Sequence, residues 1–246
     1  MYRQTYFFML HFTQTEIQKF REFLKIQPNA WENETRLLQK TQKYTWLFRL
    51  CPGIQMVAVG NSVAMNNAHK DSDIDLFIVT QTKRMWYVRI FLTFFLWLLW
   101  QRKTANKHAG VFCLSFFMTD EQLSLESIAI ESDIYLYYRI LTLKPIVNND
   151  STYERFIEAN KSWCDFTEYE NILQENKKTI AYTKGTWGTW WTFLDLKDWW
   201  YKTIFLPRTL WSYAELWKPF WVIISDTMLK FHDQDKRKSI RDQILS

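Results

Sequence analysis

No apolar run in this chain is long enough to cross a membrane. The longest, Met85 to Trp100, falls short of the ~20 residues needed to span a bilayer and has Arg89 inside it. The apolar stretch near the N-terminus, Tyr6 to Leu10, lacks the small-residue cleavage site of a secretory signal, so the sequence reads as that of a cytoplasmic protein. Cysteine is scarce. Cys51, Cys113 and Cys164 are widely spaced and follow no metal-ligand pattern, which points to reduced thiols rather than a disulfide framework or a zinc site. Internal repeats, low-complexity tracts, Arg-rich runs and recognised RNA-binding motifs are all missing.

What is present is apolar and aromatic. Hydrophobic residues make up 48% of the 246, ample for a core, so disorder is not the expectation. Aromatic residues reach 18%, with 14 Trp, and eight of these lie between Trp187 and Trp221. The net charge of +5 mildly favours polyanionic partners such as nucleotides, RNA or acidic lipid.

The most informative stretch runs from Val57 to Val79. An apolar strand, Ile54 to Val59, breaks at Gly60-Asn61-Ser62, passes through a short helix, and returns as a second apolar strand carrying Asp73-Ile74-Asp75. Side chains two apart on a strand share a face, so Asp73 and Asp75 can converge on one cation while Ile74 faces the core. The turn before the short helix offers free backbone N–H groups suited to phosphate. Two carboxylates on one face of an apolar strand repel each other unless a cation sits between them.

This turn, spacer and Asp-x-Asp strand resemble the signature of the DNA polymerase β-like nucleotidyltransferase superfamily, over roughly Leu47 to Thr119. The resemblance implies an α/β nucleotidyltransferase core, a small mixed sheet flanked by helices, followed by a mostly helical C-terminal half. It implies that Gly60, Asn61 and Ser62 bind the triphosphate of an NTP, with Asn61 standing where a second Gly is common. It implies that Asp73 and Asp75 are catalytic ligands of Mg²⁺ or Mn²⁺, and that NMP passes to a hydroxyl acceptor on an RNA 3′ end, a protein or a small molecule.

The family's third carboxylate belongs on a neighbouring strand. The matching segment here, Val111 to Met118, carries no acid and offers Cys113 or Ser115 instead. Weaker candidates surround the motif. Asp71 lies two residues before Asp73, His69 lies in the spacer, and Asp120 follows the third strand. Arg139, on a helix expected from Asp133 to Leu143 with Ser132 as N-cap, and Lys144 could neutralise phosphate charge.

Three regions follow from composition and punctuation: an N-terminal helical segment (1–45), a core (46–148) and a helical, Trp-rich region (149–246). Asn33 to Leu50 reads as one helix, and Tyr153 to Tyr169 and Asn171 to Lys184 as two more. Met85 to Trp100 reads as a buried core helix or, given flanking Lys83-Arg84 and Arg102-Lys103, as a helix on a membrane surface. The tryptophans suit a helical core, a homodimer or partner interface, a base-stacking platform or a lipid-facing belt. Two functions compete with an enzyme: a nucleotidyltransferase-fold binding protein without turnover, such as an antitoxin, and a membrane-peripheral protein. The polar segment Phe231 to Arg237 reads as a solvated tail or, as the alternative, as a segment folded back over the cleft.

Overall fold

A computed structural model describes residues 9–104, 107–183, 202–207, 222–231 and 236–245. The chain is an α/β protein built on a six-stranded mixed sheet flanked by helices. Strands β1 (Ile54–Val59), β2 (Ile74–Thr80), β3 (Phe112–Thr119), β4 (Lys144–Asn148), β5 (Ile223–Ile224) and β6 (Met228–Lys230) lie in the order β4-β1-β2-β3-β6-β5. β1 runs antiparallel to both β2 and β4, while β2 and β3 are parallel. The parallel pair needs a crossover, which α5 (Met85–Leu98) supplies.

Both faces of the sheet are covered, which is why β1 is buried along its whole length. Alternation along β2 divides its side chains between the two faces. Phe77 and Val79 join one core cluster with Phe116, Phe20, Tyr137 and Phe156. Ile74, Leu76 and Ile78 join the other with Trp86, Phe48 and Phe117. The first cluster is roofed by α1 (Gln14–Phe23), α6 (Ile134–Thr142) and α7 (Thr152–Lys161). The second is roofed by α2 (Glu32–Lys43), α3 (Thr45–Leu50) and α5.

Side-chain caps mark the starts of α1 and α6. Thr13 and Glu16 form a capping box at α1, with Thr13 N donating to Glu16 Oε2 at 2.8 Å. α6 is capped by Asp133, which accepts from Leu136 N, and not by the expected Ser132, whose backbone is left-handed. Gly53 sits at φ +90° in the turn into β1, where a Cβ would lie 2.9 Å from Arg84 Cβ.

Several expectations need correction. The helix expected over Asn33 to Leu50 is two, divided at Tyr44. The helix expected over Tyr153 to Tyr169 ends at Lys161, and α8 (Glu170–Lys177) is shorter than the stretch to Lys184. Pro145 does not merely stop α6 but begins an edge strand, where its missing N–H is tolerated. The C-terminal region is not uniformly helical, because β5 and β6 extend the sheet beyond β3 before a C-terminal helix, Arg237–Leu245. α5 is buried on one face only. Met85, Trp86, Val88, Leu92 and Leu96 face the core, while Trp97 and the following Trp100 are 60% and 77% exposed. No helix among the described residues is long and apolar enough to cross a membrane. The Trp187–Trp221 cluster lies outside the described residues.

Candidate functional site

Asp73 directly precedes β2 and Asp75 is its second residue, so the two carboxyls point to the same side while Ile74 is fully buried on the other. On β3, Cys113 pairs in register with Asp75. Ligand atoms of Asp73, Asp75 and Cys113 lie within 4.8 Å of one another.

A bulge shapes the third wall. Asp75 pairs with Cys113, but Phe77 pairs with Phe116, so β3 carries one extra residue across this interval. The extra residue lets Cys113, Ser115 and Phe116 all serve the side facing α6. Ser115 is buried and its Oγ donates to Asp75 Oδ1 at 3.4 Å. Both residues expected from the third strand, Cys113 and Ser115, therefore reach the carboxylates.

The turn closes the opposite side. Gly60 N donates to the Asp75 carbonyl at 3.0 Å, which ties the turn to β2. Asn61 adopts φ +50°, a left-handed conformation that Asn tolerates. Its side chain hydrogen-bonds the Asp75 carboxyl, and its Oδ1 is buried without a partner, so the amide nitrogen is the donor. Gly60 itself is extended, at φ −120°, and an added Cβ would meet only Leu143 Cδ1 at 3.6 Å. Ser62 is half-buried on the short helix α4 (Asn61–Ala64).

Charge is unevenly distributed here. Burial, and then repulsion from Asp73, push the Asp75 carboxyl above its ordinary range, against the opposing pull of Asn61, Arg139 and Lys103. Burial, together with Asp75 and Asp73, drives the Cys113 thiol up to about 12. Lys103, in the connection between α5 and β3, places Nζ 2.7 Å from Asp73 Oδ2. Burial opposes its charge, but the hydrogen bond to Asp73 and the surrounding acidic groups hold its ammonium above the ordinary value.

Arg139 is buried on α6, 8% exposed, with its guanidinium 5.0 Å from the Phe116 ring centre. Burial lowers its pKa, countered by Tyr135, Asp75 and Asp133. It lines a cavity of about 270 Å³ shared with Asn61, Tyr135, Lys230, Lys236 and Arg237.

The weaker candidates separate clearly. Asp71 and His69 are exposed in the spacer loop, outside the cluster. Asp120 lies past the far end of β3, where it accepts two 2.9 Å hydrogen bonds from Thr82. Seven residues of extended chain carry it roughly 20 Å from Cys113, so it cannot supply the third carboxylate. Lys144 donates to Asn66 Oδ1 at 3.0 Å. Lys103, Lys230, Lys236 and Arg237 were not singled out from the sequence. Lys103 showed only as a charge flanking the apolar helix, and the last two sat in a segment that read as a tail or as a stretch folded back over the cleft. No protein-family model, curated protein or solved structure matches this chain.

Proposed function

We propose that this chain is a metal-dependent nucleotidyltransferase, moving a nucleoside monophosphate from a nucleoside triphosphate to a hydroxyl on RNA, protein or a small molecule. The observation that carries the reading is the convergence of Asp73, Asp75 and Cys113 within 4.8 Å, with the Asn61 side chain on Asp75. Two carboxylates crowded on one strand face are stabilised by a divalent cation. Their oxygens suit Mg²⁺ or Mn²⁺. A thiol is softer than the oxygen donors Mg²⁺ prefers, so this donor set fits Mn²⁺ better.

A cation held there would supply Lewis-acid stabilisation of phosphate charge and lower the pKa of the acceptor hydroxyl. In the transfer, the acceptor oxygen bonds to the α-phosphorus and the bond to the β-phosphate bridging oxygen breaks. Pyrophosphate leaves, and the acceptor proton passes to solvent. Asn61 and Ser115 orient the Asp75 carboxyl through their hydrogen bonds. Arg139 offsets negative charge from the α6 side. Lys103 pairs with an Asp73 oxygen and would have to give it up for a cation to be held there.

A second reading, binding without turnover, is favoured by that same Lys103 contact and by Cys113 standing where a carboxylate is expected. One assay separates the two. Purified protein is incubated with Mn²⁺ or Mg²⁺ and each α-labelled NTP, alone and with total RNA or lysate. Transfer of label that is lost in Asp73→Asn and Asp75→Asn supports the enzyme. Nucleotide binding with no transfer under any condition supports the second reading and overturns the first.

A further inference from the structure

The outer face of α5 is apolar where a helix facing water is ordinarily polar. Opposite the core residues Met85, Val88, Leu92 and Leu96, helical spacing sets Tyr87, Ile90, Phe91, Phe94, Trp97 and Leu98 in one stripe. Phe94, Trp97 and Leu98 are exposed, and Trp100 extends the apolar surface past the helix end. That end is a Schellman turn. Gln101 N donates to the Leu96 carbonyl at 2.7 Å, and Trp100 N donates to the Trp97 carbonyl at 3.0 Å. The left-handed position in such a turn is usually glycine, yet here Trp100 holds it, at φ +57°. The indole is 77% exposed, so this disfavoured backbone gains little packing inside the fold. Glycine would make the same turn with less strain, which places the use of the Trp100 ring at the surface.

Charge along this part of the chain has one sign. No Asp or Glu occurs between Asp75 and Asp120, whereas Lys83 and Arg84 precede α5 and Arg102, Lys103 and Lys107 follow it. Lys103 is engaged by Asp73. Lys107 Nζ donates to the Trp100 carbonyl at 2.5 Å, which sets an ammonium at the helix C-terminus beside the exposed indole. Nearby, Lys40 Nζ donates to the Gly110 carbonyl at 2.6 Å. Burial, then the charges of Lys107 and Arg36, lower the Lys40 pKa, so three cations gather at this end.

We propose that the outer face of α5, with Trp100 and the cations at its two ends, docks the protein on an anionic lipid bilayer. The 14 residues of α5 make a helix about 21 Å long, too short to cross the hydrocarbon core and suited to lying in the headgroup region. Tryptophan favours that boundary, and cations at both ends of the helix meet anionic headgroups. A second copy of the chain fits less well, because two paired α5 helices set cationic ends against cationic ends in either direction. This docking does not depend on the metal site.

Vesicle flotation of the full chain tests this, with phosphatidylcholine alone set against equal parts phosphatidylcholine and phosphatidylglycerol. The chain is expected to float with the anionic vesicles and to stay behind with the neutral ones. Trp97→Ser and Trp100→Ser should each weaken binding about tenfold, as loss of a partly inserted aromatic implies, and Lys107→Gln about fivefold. Both Trp variants keep the net charge, so a drop in them does not come from unspecific attraction of a basic protein. Trp100→Gly separates docking from a structural role. It should float less yet melt no lower than wild type, because glycine eases the left-handed turn. Failure to float with anionic vesicles, equal recovery with both kinds, or binding unmoved by the Trp97→Ser/Trp100→Ser double variant overturns the assignment. A lipid-free dimer on size-exclusion chromatography that the double variant dissociates gives the face to a second copy and overturns it too. A marked fall in melting temperature in the double variant does the same, by showing the face covered within the chain.

Discussion

Asp75 and Glu154 show how differently two carboxylates behave in one fold. Asp75 is pushed up by burial and by Asp73, so its ionised form is held under stress. Glu154, on α7, is also pushed up by burial. Hydrogen bonds from Asn148 and from its own backbone, and the Lys177 ammonium 3.3 Å away, outweigh that and hold it below its ordinary 4.5. A carboxylate with a depressed folded pKa contributes stability that is present above the unfolded value and lost as pH falls through the folded one. Glu154→Gln should therefore destabilise by about 0.5 kcal/mol at pH 7, a modest figure because the pair is partly exposed to solvent. The deficit should start to shrink below pH 4.5 and be lost as pH falls through the lower folded value, so urea titrations should give a smaller deficit at pH 3.5 than at pH 7. An equal deficit at both values would show that Glu154 acts through packing alone. The Asp73 and Asp75 pairing was legible from the sequence because strand periodicity is local. The Lys103 contact to Asp73 was not, because it depends on where the α5–β3 connection lands.

At the scale of elements, α5 settles a question that its composition left open. Nearly every residue from Met85 to Leu98 is apolar or aromatic, so the sequence alone shows no preferred face. Packing against β3 supplies one. Trp86 is 1% exposed and Trp97 is 60% exposed on the same helix. Trp86→Ala should cost about 3–5 kcal/mol by emptying a packed site, whereas Trp97→Ser should change stability by less than about 0.5 kcal/mol. Thermal melts of the two variants would test this. Comparable losses would mean that the outer face of α5 is also covered. The three central strands were readable because each is an apolar run bounded by turn residues. β6 was not, since three residues are too few to display a period, and its pairing with Phe116–Met118 is decided more than a hundred residues away.

For the whole molecule, the late arrival of β5 and β6 makes the C-terminal region part of the sheet. β6 pairs with β3 through Met228, Leu229 and Lys230, and Leu229 is buried in the same cluster as Phe117. The C-terminal helix adds Ile240 and Ile244 to the other face. Deleting residues 222–246 would leave the β3 edge unpaired and uncover apolar surface on both sides. The truncated chain should aggregate or elute as large species on size-exclusion chromatography. A monodisperse, folded product would show that the sheet is complete without its last two strands. The same deletion removes three of the cavity's four cations.

The sequence by itself determined what short-range geometry controls. The turn at Gly60-Asn61-Ser62, the strands on either side, and two carboxylates on one face all follow from neighbours in the chain. Only the tertiary structure decided what surrounds those carboxylates. Strand pairing sets Cys113 opposite Asp75 and Ser115 Oγ 3.4 Å from its carboxyl, and a loop brings Lys103 onto Asp73. Four cations from residues 139, 230, 236 and 237 meet beside Asn61. Packing sets these contacts, because groups so far apart in the chain meet only after the core has formed, and no local pattern records the meeting.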